Sequence, residues 1–302
     1  MIPDRGIVFF VTPGAGSGRV FQRLNYVLSI VDGLRVRTVV ARSFAEAGDH
    51  VEKLTSDEIP VAAGGDGTVN LLARALRAAG KADRGLVMMP LGTGNAFGYC
   101  FGHDSVPAAL LAIGAGTPLA IDVMTTTHPD FPLALISISA GFESRMLASV
   151  PRGFWSQWIG LIPALLRVAP RSWRGIELAV DGEPLIEPGE RVYNAGLYNL
   201  PYYGFGRLMW PDAEPADGAA EAVVCRSGGA YWGVLRHGLR TAQPADGDPS
   251  ARRWRRARFR ANEDVQIDGE VAAGGDFEVQ VEPRGLTVLV QPRAGATPRP
   301  YQ

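Results

Sequence analysis

The N-terminal part of the chain alternates short apolar runs with segments whose apolar residues recur at helical spacing. The runs predict buried strands, and the periodic segments predict helices. Strands are predicted at Gly6–Val11, Leu34–Ala41, Ile59–Ala63 and Leu86–Met89, and helices at Val20–Ile30, Phe44–Leu54, Thr68–Ala79 and Ser105–Ile113. This alternation is typical of a parallel α/β domain, whose ligands bind at the carboxyl ends of the strands.

The pattern changes after Asp122, where short apolar segments are separated by turn dipeptides. This texture favours a mostly antiparallel β-sandwich domain. The turn signals are Asp181-Gly182, Pro188-Gly189, Asp217-Gly218 and Ser227-Gly228, and the predicted strands are Ala134–Ser139, Ile176–Val180, Val192–Leu197, Ala222–Cys225, Val265–Ile267, Phe277–Val281 and Leu286–Val290. We predict an α/β domain over residues 1–122 and a β-rich domain over residues 123–285. Within residues 286–302, we expect a last strand that returns to the first domain, followed by a loose tail.

The composition fits a globular protein with a full core. The 302 residues are 46% hydrophobic and 20% charged, and the net charge of −1 predicts no general attraction to nucleic acid. Cys100 and Cys225 show no metal or redox spacing, which favours a reducing cytoplasm. The strand pattern begins at Gly6 with no signal peptide, and no apolar run reaches the length of a membrane span. We therefore expect a cytoplasmic protein.

Two glycine-rich loops follow predicted strands, at Ala63–Asn70 and Pro90–Asn95. Glycines at a strand end let backbone N–H groups approach a ligand closely, and a glycine turn that leads into a helix N-terminus is an anion site. Asp66 lies inside the first of these turns. Its carboxylate would repel a phosphate unless a cation stood between them, so the pattern predicts Mg²⁺ and a nucleotide.

The sequence Gly64-Gly65-Asp66-Gly67-Thr68, together with Pro90-Leu91-Gly92-Thr93-Gly94-Asn95, resembles the diacylglycerol kinase catalytic-domain family. That family includes bacterial lipid kinases, sphingosine kinases and ceramide kinases, and its wider superfamily includes NAD kinases. The loop Thr12–Arg19 is similar to the family's Asn-Pro-x-Ser/Ala-Gly loop, with Thr12 in the place of Asn. Ala96 stands where the family often has Asp.

The resemblance implies an NAD kinase-like first domain that binds ATP and Mg²⁺, with Asp66 as a metal ligand and catalytic residue. The residues expected to contact the nucleotide are Thr12, Gly16, Gly64, Gly65, Gly67, Thr68, Asn70, Gly92, Thr93, Gly94 and Asn95. For Asn70, a solvent-facing helix position is an equal alternative.

A third motif, Gln266-Ile-Asp268-Gly-Glu270, matches the family's Gln-x-Asp-Gly-Glu. A lipid kinase needs a carboxylate beside the acceptor hydroxyl, and this pair could meet Asp66 across an interdomain cleft. We predict Glu270 as base or hydroxyl orienter and Asp268 as support for the metal or the local structure. The roles of Asp66 and Glu270 could be exchanged. A plain hairpin turn is the alternative, since Asp-Gly-Glu recurs at residues 181–183.

Further residues follow the family's order in the second domain. The segment runs from Asn199 through Gly204-Phe205-Gly206 and Pro211-Asp212-Ala213 to Asp217-Gly218. Asp212 and Asp217 either bind a structural cation or cap turns, with turn capping favoured. Asp122 matches a family Asp that holds an interdomain polar network, and a turn cap is the alternative.

Two segments are candidates for lipid contact. The apolar stretch Phe154–Leu166 is either a packed core helix, which we favour slightly, or a lid or membrane-facing surface. The arginine-rich run Arg252–Arg260 either meets anionic headgroups or consists of solvated strand charges. In that run, the strand period does not separate the arginines from the other residues.

The resemblance, carried by these ordered motifs, implies an ATP-dependent lipid kinase that acts peripherally at the inner face of the membrane, with no nucleic-acid partner. The alternatives are a kinase of a soluble acceptor such as NAD and a non-catalytic nucleotide- or lipid-binding protein. The identity of the lipid and the oligomeric state, a homodimer included, are left open by the sequence.

Overall fold

The computed structural model describes residues 5–31, 33–149, 171–210, 213–237 and 249–291. The chain divides into two compact units. The first unit comprises Met1–Ile121, Gly204–Gly206 and Arg284–Arg299, and the second comprises Asp122–Tyr203, Arg207–Pro283 and Pro300–Gln302. The Phe154–Leu166 segment, Asp212 and the tail from Pro292 lie outside the described residues.

The first unit is built on a four-stranded parallel sheet in the order β2-β1-β3-β4. Its strands are β1 (Gly6–Val11), β2 (Val36–Val40), β3 (Glu58–Gly64) and β4 (Val87–Pro90). All six residues of β1 are buried, which explains its unbroken apolar sequence. Because the strands are parallel, their carboxyl ends meet at one edge of the sheet, where the glycine loops begin.

In the described part of the first unit, five helices pack with the sheet. They are α1 (Val20–Ile30), α2 (Phe44–Glu52), α3 (Asp66–Ala78), α4 (Ala96–Phe101) and α5 (Val106–Ala115). Helix α1 buries Val20, Leu24 and Val27, one face of a helix, as its periodicity predicts. Ser43 and Ser105 accept hydrogen bonds from backbone N–H groups in the first turns of α2 and α5 and so cap them. The pattern did not predict α4, which is short and apolar throughout.

The chain passes between the units within two strands, β5 (Thr117–Thr126) and β18 (Asp276–Val290), and again on either side of Gly204–Gly206. The separate strands predicted at Phe277–Val281 and Leu286–Val290 are therefore one strand of 15 residues. Its end lies in the first unit, where Leu86 bridges Val288 in parallel. There His103 accepts a hydrogen bond from Met88 N (3.3 Å) at Nδ1 and donates one from Nε2 to Leu289 O (2.6 Å).

The second unit contains two six-stranded sheets. One has the order β14-β13-β10-β7-β16-β17, and the other has the order β6-β5-β18-β15-β8-β9. The remaining strands are β6 (Leu133–Ala134), β7 (Ser137–Gly141), β8 (Ile176–Val180), β9 (Glu183–Ile186), β10 (Asn194–Tyr198), β11 (Tyr202–Tyr203), β12 (Arg207–Leu208), β13 (Ala220–Cys225), β14 (Ser250–Trp254), β15 (Arg256–Ala261), β16 (Val265–Ile267) and β17 (Glu270–Ala272). One apolar core contains residues of both sheets, so the unit is the predicted antiparallel sandwich.

Two helices of the second unit were not predicted. Helix α6 (Phe142–Ser149) follows β7 directly, and the strand predicted at Ala134–Ser139 is divided between β6 and β7. Helix α7 (Gly228–His237) starts at the Ser227-Gly228 dipeptide, which was predicted to be a turn. Both helices begin beside a glycine, where the turn signal and a helix start have the same residue preference.

The arginine-rich run changes sheets at Arg255, because β14 and β15 belong to different sheets. Within β15 the strand period does separate the arginines, which corrects the sequence-based interpretation. The exposed positions are Arg256, Arg258 and Arg260, and the buried positions are Ala257 and Phe259. Arg258 donates two hydrogen bonds to Asp276, at 2.9 and 2.7 Å, and lowers the pKa of that carboxyl. These features favour the interpretation of solvated strand charges.

Candidate functional site

The two glycine loops of the first unit touch backbone to backbone at the carboxyl edge of the sheet. The N–H groups of Leu91 and Gly92 donate to Gly64 O at 3.0 and 2.9 Å. A Cβ atom on Gly92 would lie 2.3 Å from the Cα of Gly65, so no side chain fits there. The predicted loop residues Gly64, Gly65 and Gly92 therefore form one surface made of main chain, which is the surface that a phosphate group needs.

The loop after β1 joins this surface through Thr12 and Thr68. Their hydroxyl oxygens lie 2.5 Å apart, and Thr68 is buried in the first turn of α3. A Cβ on Gly64 would lie 2.2 Å from the Thr68 hydroxyl oxygen, so Gly64 makes room for that side chain. The same loop contains Gly16, which has a φ of +59° and lies against Leu91 O. The structure thus brings together three segments that are far apart in sequence.

Arg23, on helix α1, binds two carbonyl groups of the second glycine loop. The sequence did not predict this role. Arg23 Nη1 donates to Leu91 O at 2.8 Å and to Gly92 O at 3.3 Å. In a planar trans peptide the N–H points away from the C=O, so a carbonyl held by the guanidinium fixes the direction of the N–H in the same peptide unit. The two bonds therefore fix the peptide planes of the loop. The sequence around Arg23 does not indicate these bonds, because their acceptors lie 68 and 69 positions further along the chain.

Asp66 connects the first glycine loop to helix α4. Its Oδ2 accepts a hydrogen bond from Ala96 N (3.1 Å) and its Oδ1 accepts one from Phe97 N (3.0 Å). The carboxylate therefore caps the start of α4 from outside that helix. Each carboxylate oxygen carries two lone pairs, so an oxygen that accepts a hydrogen bond can still ligate a metal ion. Ala96 is buried at 4% exposure, which suits a small apolar side chain at this position.

Asn95 ends the second loop in a left-handed conformation, with a φ of +52°. Its Nδ2 donates to Gly92 O at 3.3 Å. Within the described residues, its buried Oδ1 has no hydrogen-bond partner. A buried acceptor without a donor is costly, so this atom fits a ligand donor. Beside it, Thr93 and Gly94 are half-buried.

The remaining predicted phosphate contacts lie at the start of helix α3. Gly67 is exposed in the first turn, whereas Asn70 is buried at 7% exposure. The alternative of a solvent-facing Asn70 is therefore wrong. The first N–H groups of a helix carry partial positive charge and favour an anion. Across the described residues, no group of three or more His, Cys, Asp or Glu side chains is placed to hold a metal by itself.

In the second unit, the Gln266–Glu270 motif forms the tight turn between β16 and β17. Asp268 and Gly269 have φ values of +50° and +85°. The Asp268 carboxylate accepts hydrogen bonds from the N–H groups of Leu135 (2.7 Å), Ile136 (2.8 Å) and Ser137 (3.0 Å). This arrangement gives Asp268 a role in local structure, one of its two predicted roles. Glu270 is exposed at the start of β17.

Two further predicted acidic residues of the second unit, Asp122 and Asp217, hold turns. Asp122 is fully buried, and its Oδ2 accepts a hydrogen bond from Gly218 N at 2.6 Å. Asp217 accepts one from Ala219 N and pairs with Arg253. Asn199 donates to Asp122 O at 2.9 Å. These contacts match the turn-capping alternatives for Asp122 and Asp217. Gly204–Gly206, expected in the second domain, belongs to the first unit.

Known proteins resemble this chain in sequence and in fold. Residues 6–126 match the family model described as "Diacylglycerol kinase catalytic domain". The chain is 27% identical over 243 residues to the protein named "Probable lipid kinase YegS-like" from Enterobacter sp. (strain 638), covering 78% of this chain and 79% of that protein. A protein of the same name from Citrobacter koseri is 24% identical over 289 residues, which cover 92% of this chain and 94% of that protein.

A solved structure described as a diacylglycerol kinase from Bacillus anthracis strain Sterne superimposes with a TM-score of 0.68, at 17% identity, over 95% of this chain and 97% of that one. At this identity the likeness shows a shared fold. The resemblance to the diacylglycerol kinase catalytic-domain family, predicted from the motifs, is confirmed, and the class of activity that it supports is a phosphotransferase. In the described part of the chain, no helix has the length and hydropathy that a membrane crossing requires.

Proposed function

We propose that this chain, whose residues 6–126 match the diacylglycerol kinase catalytic domain, transfers the γ-phosphoryl group of ATP to a hydroxyl group of a lipid. The observation that carries the proposal is the backbone surface formed where Gly92 packs against Gly64 and Gly65. A loop system of this kind, beside a helix N-terminus, suits a polyphosphate better than any other common ligand.

The residues present fit ATP on two observations. First, a Cβ at Gly92 would overlap Gly65, so the main chain of both loops stays bare of side chains there. Second, the buried Oδ1 of Asn95 accepts no hydrogen bond from the described residues. In the proposed complex, the main chain of both loops and the first turn of α3 hold the phosphates. Thr12, Thr68 and Thr93 supply hydroxyl groups, and Asn95 accepts a hydrogen bond from the nucleotide.

Mg²⁺ fits this site through Asp66. The ion is commonly held by one or two carboxylates together with substrate phosphates, and it does not need a cage of protein ligands. The Asp66 carboxylate lies directly after the first glycine loop, in the first turn of α3, and its oxygens also bind the N–H groups of Ala96 and Phe97. When bound, Mg²⁺ neutralises phosphate charge. The contribution of Asp66 is to fix the position of that charge relative to both loops.

On the acceptor side, we assign the role of base or hydroxyl orienter to Glu270. The Asp268 carboxylate is bonded to three backbone N–H groups, whereas Glu270 is exposed at the end of the same turn. A carboxylate that accepts the hydroxyl proton, or orients the hydroxyl, assists phosphoryl transfer mainly by positioning. The lipid class of the acceptor rests on the names of the curated relatives.

The experiment that tests the function is phosphorylation by labelled ATP of a lipid extract, of a panel of purified lipid alcohols, and of NAD. We expect label in a lipid fraction and none in NAD. Labelled NAD would replace the proposal with a soluble-acceptor kinase. ATP binding without transfer to any acceptor would replace it with a non-catalytic binding protein.

Two variants test the residue roles. Asp66→Asn removes the metal ligand and also replaces one acceptor of the α4 N–H groups by a donor. We therefore expect it to lower the melting temperature somewhat and to abolish turnover at temperatures where the variant is still folded. Asp49→Asn, an exposed position on α2, is the matched control. Turnover by Asp66→Asn at the wild-type rate would contradict the assignment of Asp66.

Glu270→Gln tests the acceptor side, and the chain contains its own control. Glu183 follows an equivalent turn, Asp181-Gly182, with φ values of +49° and +89°. We expect Glu270→Gln to lower kcat by roughly a hundredfold or more, as the loss of a general base does, and Glu183→Gln to leave it unchanged. Equal rates for the two variants would rule out the proposed role of Glu270.

Since the proposed acceptor is a lipid, we also propose a peripheral contact with lipid surfaces. We expect the protein to sediment with vesicles that contain diacylglycerol. From vesicles that lack a substrate lipid, a wash with detergent-free buffer should release it. A protein that extracts only with detergent would contradict peripheral attachment.

A further inference from the structure

The second unit contains a buried polar network that the proposed mechanism does not use. At its centre is Glu143, which is fully buried in the first turn of α6. Its Oε2 accepts a hydrogen bond from Ser139 Oγ at 2.5 Å, and its Oε1 accepts one from Tyr198 and one from Tyr231, each at 3.1 Å. Burial raises the pKa of Glu143 above its ordinary value, and the hydrogen bonds from these hydroxyl groups offset only part of that shift.

The hydrogen bonds in this network have a defined direction. Asn194 Nδ2 donates to the Tyr198 hydroxyl at 3.2 Å, so the hydroxyl hydrogen of Tyr198 is available for Glu143. Gln266 Nε2 donates to Ser139 Oγ at 3.0 Å, so the hydroxyl hydrogen of Ser139 is likewise directed at Glu143. The hydroxyl groups of Tyr198 and Ser139 therefore each accept a hydrogen bond from an amide and donate one to the Glu143 carboxyl. Such a network fixes the rotamers of all its members.

Gln266 extends the network to the turn that bears Glu270. Its Nε2 also donates to Ser137 Oγ at 2.9 Å, and its Oε1 accepts the N–H of Gly269 at 2.8 Å. Gln266 is fully buried, and the strand register places it opposite Ser139. A continuous path of three hydrogen bonds therefore runs from Glu143 through Ser139 and Gln266 to the N–H of Gly269, the residue before Glu270.

We propose that Glu143 is a positioning residue, which anchors through Ser139 and Gln266 the turn that presents Glu270. The inference deepens the proposed function and rests on the role assigned to Glu270 there. A buried carboxyl group among apolar side chains lowers stability unless it is fully bonded. Here it accepts hydrogen bonds from three different elements, and the path through Ser139 leads from it to the turn that bears an exposed carboxylate.

The polarity of the path suggests the first variant, Glu143→Gln. In whichever orientation the introduced amide lies, its NH2 group replaces an oxygen that accepts from Ser139 or from the two tyrosines, so at least one hydroxyl loses its acceptor and must turn away. We expect kcat to fall by roughly tenfold or more, because small displacements of a catalytic group are costly, with the KM for ATP within about a factor of two of the wild-type value.

A double-mutant cycle with Gln266→Met separates positioning from general destabilisation. Gln266→Met removes the hydrogen bonds that Gln266 makes to Ser139 and to Gly269, and so interrupts the path. If Glu143 acts through this path, Glu143→Gln should cause little further loss of kcat in the Gln266→Met background. An equal loss of kcat in both backgrounds would overturn the proposal.

Ser139→Ala is a gentler variant, for the case in which Glu143→Gln does not fold. Its matched control is Ser144→Ala, since Ser144 is also fully buried and its hydroxyl donates to Gly141 O at 3.2 Å, away from the path. We expect Ser139→Ala to lower kcat severalfold and Ser144→Ala to leave kcat unchanged at a similar melting temperature. Equal kcat values would contradict the proposal.

Hydrogen exchange of the Gly269 amide provides a readout that needs no activity. We expect this amide to exchange roughly tenfold faster or more in Ser139→Ala than in Ser144→Ala, because its acceptor Gln266 is less fixed. If the wild type phosphorylates no lipid, the proposed function fails, and the exchange rates still decide the positioning role. Equal exchange in both variants would overturn it.

Discussion

The side-chain oxygens of Thr12 and Thr68 lie 2.5 Å apart, which joins the loop after β1 to the first turn of α3. The contact spans 56 positions in sequence. One hydroxyl donates and the other accepts, so the accepting residue keeps its own hydrogen for a ligand oxygen.

Thr12→Val should weaken ATP binding. The substitution keeps the shape of the side chain and leaves the buried Thr68 hydroxyl without its partner, which costs about 1 kcal/mol, or roughly a fivefold change in affinity. Thr38→Val, an exposed position on β2, is the matched control. Titration calorimetry with ATP measures both. Indistinguishable affinities would show that the Thr12–Thr68 contact does not shape the site.

Arg23→Met should raise the KM for ATP with a smaller effect on kcat. The guanidinium holds the carbonyl groups of Leu91 and Gly92, and without it the second glycine loop loses its fixed peptide planes. Hydrogen bonds from a charged donor are worth about 1.5–3 kcal/mol, so we expect a change of roughly tenfold or more in ATP affinity.

The control for Arg23→Met is Arg37→Met, which removes a charge from the same unit and a hydrogen bond to Glu58. Arg37 pairs with a side chain of β3 and has no contact with either glycine loop among the described bonds. If both variants bind ATP with the same affinity, a general charge effect replaces the positioning role of Arg23.

Gly92→Ala should destabilise the first unit and abolish nucleotide binding. The new Cβ would lie 2.3 Å from Gly65 Cα and 2.7 Å from Asn95 Oδ1, so the two loops must separate. Overpacking of this kind costs about 1–3 kcal/mol. Gly48→Ala on α2, with nothing within 4 Å of its added Cβ, should stabilise instead by about 0.5–1 kcal/mol. Urea denaturation and ATP titration measure both effects, and intact ATP binding by Gly92→Ala would contradict the loop contact.

His103 should make stability depend on pH below neutrality. Burial lowers the pKa of His103 from its usual 6.5 to about 4, although a bond to Leu289 and the charge of Asp104 oppose the shift. The neutral ring favours the folded state, so its contribution is complete above pH 6.5 and is lost as the pH falls toward 4. The full loss is about 3 kcal/mol.

The measurement for His103 is the free energy of unfolding in urea at neutral pH and near pH 4.5. The wild type should lose more stability over this range than His103→Gln, in which no group titrates at that position. If the free energy of unfolding depends on pH in the same way in both proteins, burial does not keep His103 neutral in the folded state.

Much of the fold could be predicted, because its signals are local. Helix α1 has the predicted bounds, and the helices α2, α3 and α5 agree to within a few residues. The glycine loops were recognisable because a strand, a glycine cluster and a helix start are adjacent in sequence. The strand bounds failed where the context was not local, as in β18, whose two halves pair with different neighbours.

The arginine-rich run shows the same limit. Counted as one strand, its residues do not alternate cleanly. The chain leaves one sheet after Trp254 and enters the other at Arg256, which resets the alternation. A periodicity argument assumes one continuous strand, and only the pairing of strands shows where that assumption ends.

By itself the sequence determined the strand-end loops, the residues Asp66 and Glu270 as candidates for chemistry, and the two kinds of domain. Spacing along the chain, glycine content and periodicity carry that information, since they act over a few residues. The tertiary structure decided which atoms each polar group satisfies. It placed the Asp66 carboxylate on the N–H groups of α4, engaged Asp268 with three peptides, and connected Glu143 to the Glu270 turn. The physical reason is that a buried polar group takes its partner from whichever segment the fold brings near, and that neighbour is often more than a hundred residues away.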